Sequence, residues 1–189
     1  MMSVRDAFAT LRSALETAGI RFAVGGSWAS AAFGEPRFTN DVDILADFTP
    51  DNLDCFLSHL PRDFVFAKEE ARSAVRLGRP FNIIYIPVIF KFDFFSARAF
   101  PLGLQELDRA VPLSAPEICD EAVPFVTPED ILLAKLHWFR EGGEASTVQW
   151  RDIRGILRNR RDRLDRQYLT ANAPALGVLA LLDRAFGET

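Results

Sequence analysis

Two glycines followed at a set distance by two aspartates constrain this chain more than any other feature in it. Residues 20–24, Ile-Arg-Phe-Ala-Val, are short, mostly apolar and bounded by Gly19, which reads as a buried strand. Gly25 and Gly26 come next. Ser27, Trp28, Ala29, Ser30, Ala31, Ala32 and Phe33 can then coil into a helix that Gly34 ends, with Pro36 beyond. The glycines therefore occupy a strand-to-helix turn. Glycine there lets the backbone approach a phosphate closely, and the first helical N–H groups are unpaired donors facing it. Thirteen residues separate Ser27 from Asp41-Val42-Asp43, in a stretch that alternates polar and apolar. Residues two apart on a strand share a face, so Asp41 and Asp43 point the same way. Carboxylates side by side repel unless a cation sits between them, and hard oxygen ligands suit Mg²⁺. Taken singly, a glycine pair also reads as a tight turn, and Asp-x-Asp as the wet face of an edge strand.

The 189 residues suffice for one domain, or for a small α/β core with a helical extension. A hydrophobic share of 49% with 17 phenylalanines implies a sizeable core. A net charge of −4 argues against a wholesale nucleic-acid binder while leaving room for local basic patches. Cys55 and Cys119 lie far apart, and His59 and His137 are the only imidazoles, so a zinc site is not expected. With no signal-peptide core and no apolar run of membrane-spanning length, a reduced, cytoplasmic protein without membrane contact is expected.

Helical spacing predicts a first helix from Val4, with Ser3 as its cap and Gly19 as its stop. Thr49-Pro50-Asp51 opens another, and a further one over 69–77 ends at Gly78. Residues 81–86 and 90–95 read as a hairpin with Pro87 in its connection. On its second strand Lys91, Asp93 and Phe95 share one face, leaving Asp93 conspicuous among phenylalanines. Residues 101–126 read as a connector with strand pieces near 110–113 and 123–126. Thr127-Pro128-Glu129-Asp130 is a strong helix start, and Ile131, Leu132, Lys135, Trp138 and Phe139 fall on one face of that helix. Lys135 in that stripe reads as a snorkelling side chain or as a cation aimed at a ligand. Ser146-x-x-Gln149 caps a helix through Arg158 that carries Arg151, Arg154 and Arg158 at helical spacing. Such a stripe can bind phosphates, or be a wet face with pairs such as Asp162–Arg166. Helices over 163–171 and 174–186 close the chain.

Gly26-Ser27, the spacer and Asp41-Val42-Asp43 together resemble the nucleotidyltransferase superfamily of the polymerase-beta type. Arg37-Phe38-Thr39-Asn40-Asp41 resembles the Arg-x-Thr-x-Asp form of its toxin-like members, the AbiEii and MenT group. The resemblance covers 20–95 and 127–189. It implies an α+β fold: a nucleotidyltransferase-like mixed sheet flanked by helices. Residues 1–126 would be the catalytic core, and a C-terminal helical part over 127–189 would complete the cleft. It also implies that Asp41, Asp43 and Asp93 hold one or two Mg²⁺ ions, or Mn²⁺. Gly25, Gly26, Ser27, Arg37, Thr39 and Lys135 would bind the nucleotide, and Asp152 would match the last acidic motif as a partner of Lys135 or an orienting group.

The expected activity is transfer of a nucleoside monophosphate from an NTP, such as ATP, to an acceptor hydroxyl on a tRNA 3′ end or a protein side chain. The enzyme would then be the toxin of a toxin–antitoxin pair, with a cognate antitoxin as a further partner. The alternative is a non-catalytic or antitoxin-side partner-binding module that retains the fold.

Overall fold

The computed structural model describes residues 3–37 and 39–189; Met1, Met2 and Phe38, the last inside the Arg-x-Thr-x-Asp stretch, lie outside the described residues. In chain order the elements begin with α1 (Val4–Thr17), β1 (Phe22–Val24), α2 (Gly26–Phe33), β2 (Asp41–Ala46), α3 (Pro50–Ser58), β3 (Phe64–Val65), α4 (Lys68–Leu77), β4 (Phe81–Tyr85) and β5 (Phe90–Ser96). They continue with α5 (Gly103–Arg109), β6 (Val111–Ala115), β7 (Cys119–Phe125), α6 (Pro128–Glu141), α7 (Thr147–Arg160), α8 (Arg166–Asn172) and α9 (Leu179–Gly187).

The chain forms two compact units: Met1–Val24 with Asn40–Phe125, and Gly25–Thr39 with Val126–Thr189. A single boundary at 126/127 was expected. The chain instead crosses between the units three times, and the segment Gly25–Thr39 clusters with the helices.

The first unit is a mixed sheet of strand order β3-β4-β5-β2-β1-β7-β6. β2 runs parallel to β5 and β1 parallel to β7, and the other neighbours are antiparallel. Alternation along the strands gives the sheet two unlike faces. Val42, Ile44, Ile83, Phe92 and Phe94 point to the face that α1 and α3 cover, and all are fully buried. There Phe81 stacks on Phe94 at 5.1 Å between centroids, and Phe48 and Phe56 meet Phe94 edge-on. A buried phenylalanine contributes about 1.5–3 kcal/mol, so this cluster fixes the register of β5 against β4. α1 joins the same face with Phe8, Leu11 and Leu15, all inaccessible to solvent. Its start is the expected one: Ser3 Oγ accepts from the Asp6 N–H, and Asp6 accepts from the Ser3 N–H.

Residues 101–126 are more ordered than a connector. α5 has no side-chain cap and buries only Gly103 and Glu106, so it carries no apolar period to read. β6 and β7 form a hairpin in which Pro112 lies opposite Pro124. Proline lacks the donor a strand ladder uses, so the sequence showed only strand pieces near 110–113 and 123–126 where the full strands run over Val111–Ala115 and Cys119–Phe125.

In the helical unit, α6 and α7 start as expected: Thr127 Oγ1 accepts from the Asp130 N–H, and Ser146 Oγ from the Gln149 N–H. Leu133 and Leu136 join the buried side of α6, whereas Trp138 is 46% exposed, against expectation. The segment 174–186 is not one helix. It breaks at Gly177, whose φ of +64° only glycine adopts without strain and where a Cβ would strike Arg140. Arg166 lies 3.8 Å over the Phe186 ring rather than pairing with Asp162. α2 ends at Gly34, where an added Cβ would lie 2.8 Å from the Ser30 oxygen and 2.9 Å from the Ile156 nitrogen. Across from it, a Cβ on Gly155 would meet Glu35. This bare backbone crossing brings α2 and the residues just after it against α7.

Candidate active site

Each unit holds one constellation of the residues singled out by sequence. On the sheet unit, Asp41 lies opposite Lys91 and Asp43 opposite Asp93 in the parallel β2–β5 ladder. Residues opposite one another share a face, and neighbouring strands lie about 4.8 Å apart. The three carboxylates and Lys91 therefore share the face turned away from the phenylalanines. All four side chains are partly exposed. The Lys91 ammonium is 2.5 Å from Asp93 Oδ2 and 3.7 Å from Asp41 Oδ2. The hydrogen bond to Asp93, aided by the charges of Asp41 and Asp43, raises the Lys91 pKa above the ordinary lysine value. The sequence placed Lys91 on the face of Asp93 but gave it no role in the site. The signal was present: in Lys-x-Asp on a strand, the lysine has the parity of the aspartate.

The donor set fits Mg²⁺, since it is all hard oxygen, and an ammonium already drawn among the carboxylates shows that the face attracts cations. Among the described residues no three His, Cys, Asp or Glu side chains stand together as a ready metal cage.

The second constellation lies in the helical unit. Gly26 opens α2 at φ +50°, a conformation suited to glycine, and nothing lies within 4 Å of a Cβ placed on Gly25. The N-terminus of α2 has no side-chain cap. The Arg37 guanidinium donates to Ser27 Oγ, and its Nε lies 3.4 Å from Asp152 Oδ1. Asp152 Oδ2 accepts from Lys135 Nζ at 2.9 Å and from Ser30 Oγ at 3.3 Å. Lys135 and Asp152 are both 5% exposed at the side chain. The ammonium in the apolar stripe of α6 is thus neither snorkelling nor loose; a carboxylate from the next helix meets it. Thr39 follows Phe38 in the return to the sheet unit.

The arginine stripe of α7 borders a cavity of about 280 Å³ lined by Trp150, Arg151, Arg154, Arg158 and Arg184, among others. Two of these arginines are matched from within: Arg158 pairs with Glu35 at 2.7 Å, and Arg184 with Glu188 at 2.8 Å while lying over Trp150.

No family model and no curated protein matches the chain. Solved structures do. An antigenic nucleotidyltransferase-like protein from Paracoccidioides brasiliensis is 18% identical, with a TM-score of 0.57 over 98% of this chain and 92% of that one. The antibiotic-resistance factor ANT(2'')-Ia is 16% identical, with a TM-score of 0.49 over 96% and 95%. JHP933 from Helicobacter pylori is 12% identical, with a TM-score of 0.35 over 96% and 91%. The first of these likenesses shows that the chain has a nucleotidyltransferase-like fold. No helix among the described residues is long and apolar enough to cross a membrane.

Proposed function

We propose that the chain is a metal-dependent nucleotidyltransferase that moves a nucleoside monophosphate from an NTP to an acceptor hydroxyl. The observation that supports this most is the set of three carboxylates in register on one sheet face, in a chain with this fold. Asp41, Asp43 and Asp93 would hold Mg²⁺ or Mn²⁺. The bound cation supplies charge neutralisation at the attacking and leaving oxygens. The backbone N–H groups at the turn of Gly25, Gly26 and Ser27 take phosphate oxygens, Arg37 steadies that turn through Ser27 Oγ, and Thr39 is a further nucleotide contact. Asp152 holds the Lys135 ammonium at 2.9 Å, so that it is a fixed positive centre for the nucleotide. Asp93, the most sheltered of the two carboxylates paired with Lys91, also accepts the proton of the acceptor hydroxyl. A tRNA 3′ end suits the arginine-lined cavity, whose Arg151 and Arg154 can take phosphates; a protein hydroxyl is the other acceptor.

The test is incubation with each labelled NTP, Mg²⁺ and either total RNA or total protein, with Asp41→Asn and Asp43→Asn alongside. Label should enter one polymer, and each variant should lose about a hundredfold or more while remaining folded by circular dichroism. Undiminished labelling by Asp41→Asn defeats the assignment.

A specific observation favours a second reading. Lys91 already compensates part of the carboxylate charge, as it would in a partner-binding module that keeps the fold without the chemistry, such as one member of a toxin–antitoxin pair. Absence of label with every NTP, together with capture of a cognate protein, would favour it.

A further inference from the structure

We propose that Lys91 is a tethered counter-cation: its ammonium holds the place on the carboxylate face that a divalent cation must take over, so metal entry and lysine withdrawal are one exchange. The inference rests on the reading of Asp41, Asp43 and Asp93 as metal ligands and adds what competes for them.

The register supplies the geometry. Asp41 faces Lys91 and Asp43 faces Asp93, so four charged groups occupy adjoining positions on two strands. The ammonium reaches across the ladder and spans the pair, 2.5 Å from Asp93 and 3.7 Å from Asp41. A lysine ammonium is a compact point charge with three donors, the side chain that most nearly imitates a small cation. The strand forces it there: Lys91 and Asp93 have the same parity, and Phe90, Phe92 and Phe94 anchor the other face in the core. Escape is nonetheless easy. The Lys91 side chain is 43% exposed and its flexible stem can swing into water, while Asp93 at 18% stays sheltered. A half-exposed pair of this kind is held only weakly. The lysine therefore lowers the mutual repulsion of three carboxylates without closing the face to a doubly charged ion.

The exchange has a direct readout with the metal alone. Mn²⁺ is titrated into the full chain without nucleotide, and free Mn²⁺ is followed by electron paramagnetic resonance. Lys91→Met should bind Mn²⁺ about tenfold more tightly than the unmodified chain. Lys91→Gln, which keeps a donor toward Asp93 but no charge, should shift in the same direction, and serves if the methionine variant folds poorly. Lys91→Arg, which keeps the charge, should gain nothing. Equal affinity in all four proteins overturns the tethered cation while leaving the carboxylates as metal ligands. Failure of every form to bind Mn²⁺ overturns both this inference and the metal-dependent reading. Tighter binding in the two neutral variants alone supports the exchange.

Discussion

Lysine meets aspartate in both units, in opposite surroundings. On the sheet unit, Lys91 and Asp93 are 43% and 18% exposed, and the ammonium divides itself between two carboxylates. In the helical unit, Lys135 and Asp152 are each 5% exposed, and Ser30 and Arg37 complete the shell around Asp152. The chemistry is the same, but solvent changes what each pair can do. An ion pair in water is worth little and exchanges readily. A buried pair is hard to part because either partner alone is an uncompensated charge. One pair is therefore suited to letting a cation in, the other to holding a charge in place.

The largest effect that would break this contrast lies in the buried pair. Lys135→Met should destabilise the helical unit by about 3 kcal/mol in urea unfolding, because it takes the nearest cation from the buried Asp152 carboxylate and leaves it only Arg37 at 3.4 Å and Ser30 at 3.3 Å. A loss below about 1 kcal/mol would show that the two pairs do not differ.

Gly34→Ala comes next. Its Cβ would press on backbone atoms of Ser30 and Ile156, which cannot swing aside. A cost of about 1–3 kcal/mol is expected from such overpacking, and the shift of Arg37 and Ser30 away from Asp152 should be visible in a crystal structure. Gly25→Ala is the control: with open space at its Cβ and a φ of −123°, it should fold normally yet transfer nucleotide poorly, since the methyl group occupies the approach to the turn.

Smallest is Lys91→Met, at less than about 1 kcal/mol near neutral pH. The sign with pH follows from the raised Lys91 pKa. A lysine whose folded pKa lies above its unfolded value stabilises below about pH 10.4, and the contribution disappears as pH rises through the folded value. Stability profiles of the two proteins should therefore differ by a constant amount from pH 6 to 9 and converge only in strong alkali. Divergence at neutral pH by several kcal/mol would mean that Lys91 is structural.

Local chemistry decided much of this protein from sequence alone. Strand parity put Asp41, Asp43 and Asp93 on matching faces, because a pleat alternates side chains whatever lies beside it. Ser3, Thr49 and Thr127 marked their helix starts, because a cap satisfies donors within three residues of itself. The same locality explains the misses. α5 has neither cap nor apolar period, and the break at Gly177 depends on a left-handed residue at φ +64°, beside which the Arg140 guanidinium, from another helix, lies.

Tertiary structure alone decided who meets whom. β1 has β7 as its parallel neighbour, about a hundred residues later, which no period in either strand announces. Lys135 could have sought water or a ligand; only the packing of α7 on α6 gave it Asp152. The approach of Gly34 to Gly155 drew Ser30 and Arg37 to the same carboxylate, and the β2–β5 register carried Lys91 across to Asp41. Faces and caps depend on a residue's own neighbours in the chain, so sequence expresses them. Partners depend on the burial free energy of whole surfaces, which comes into play only when distant segments meet.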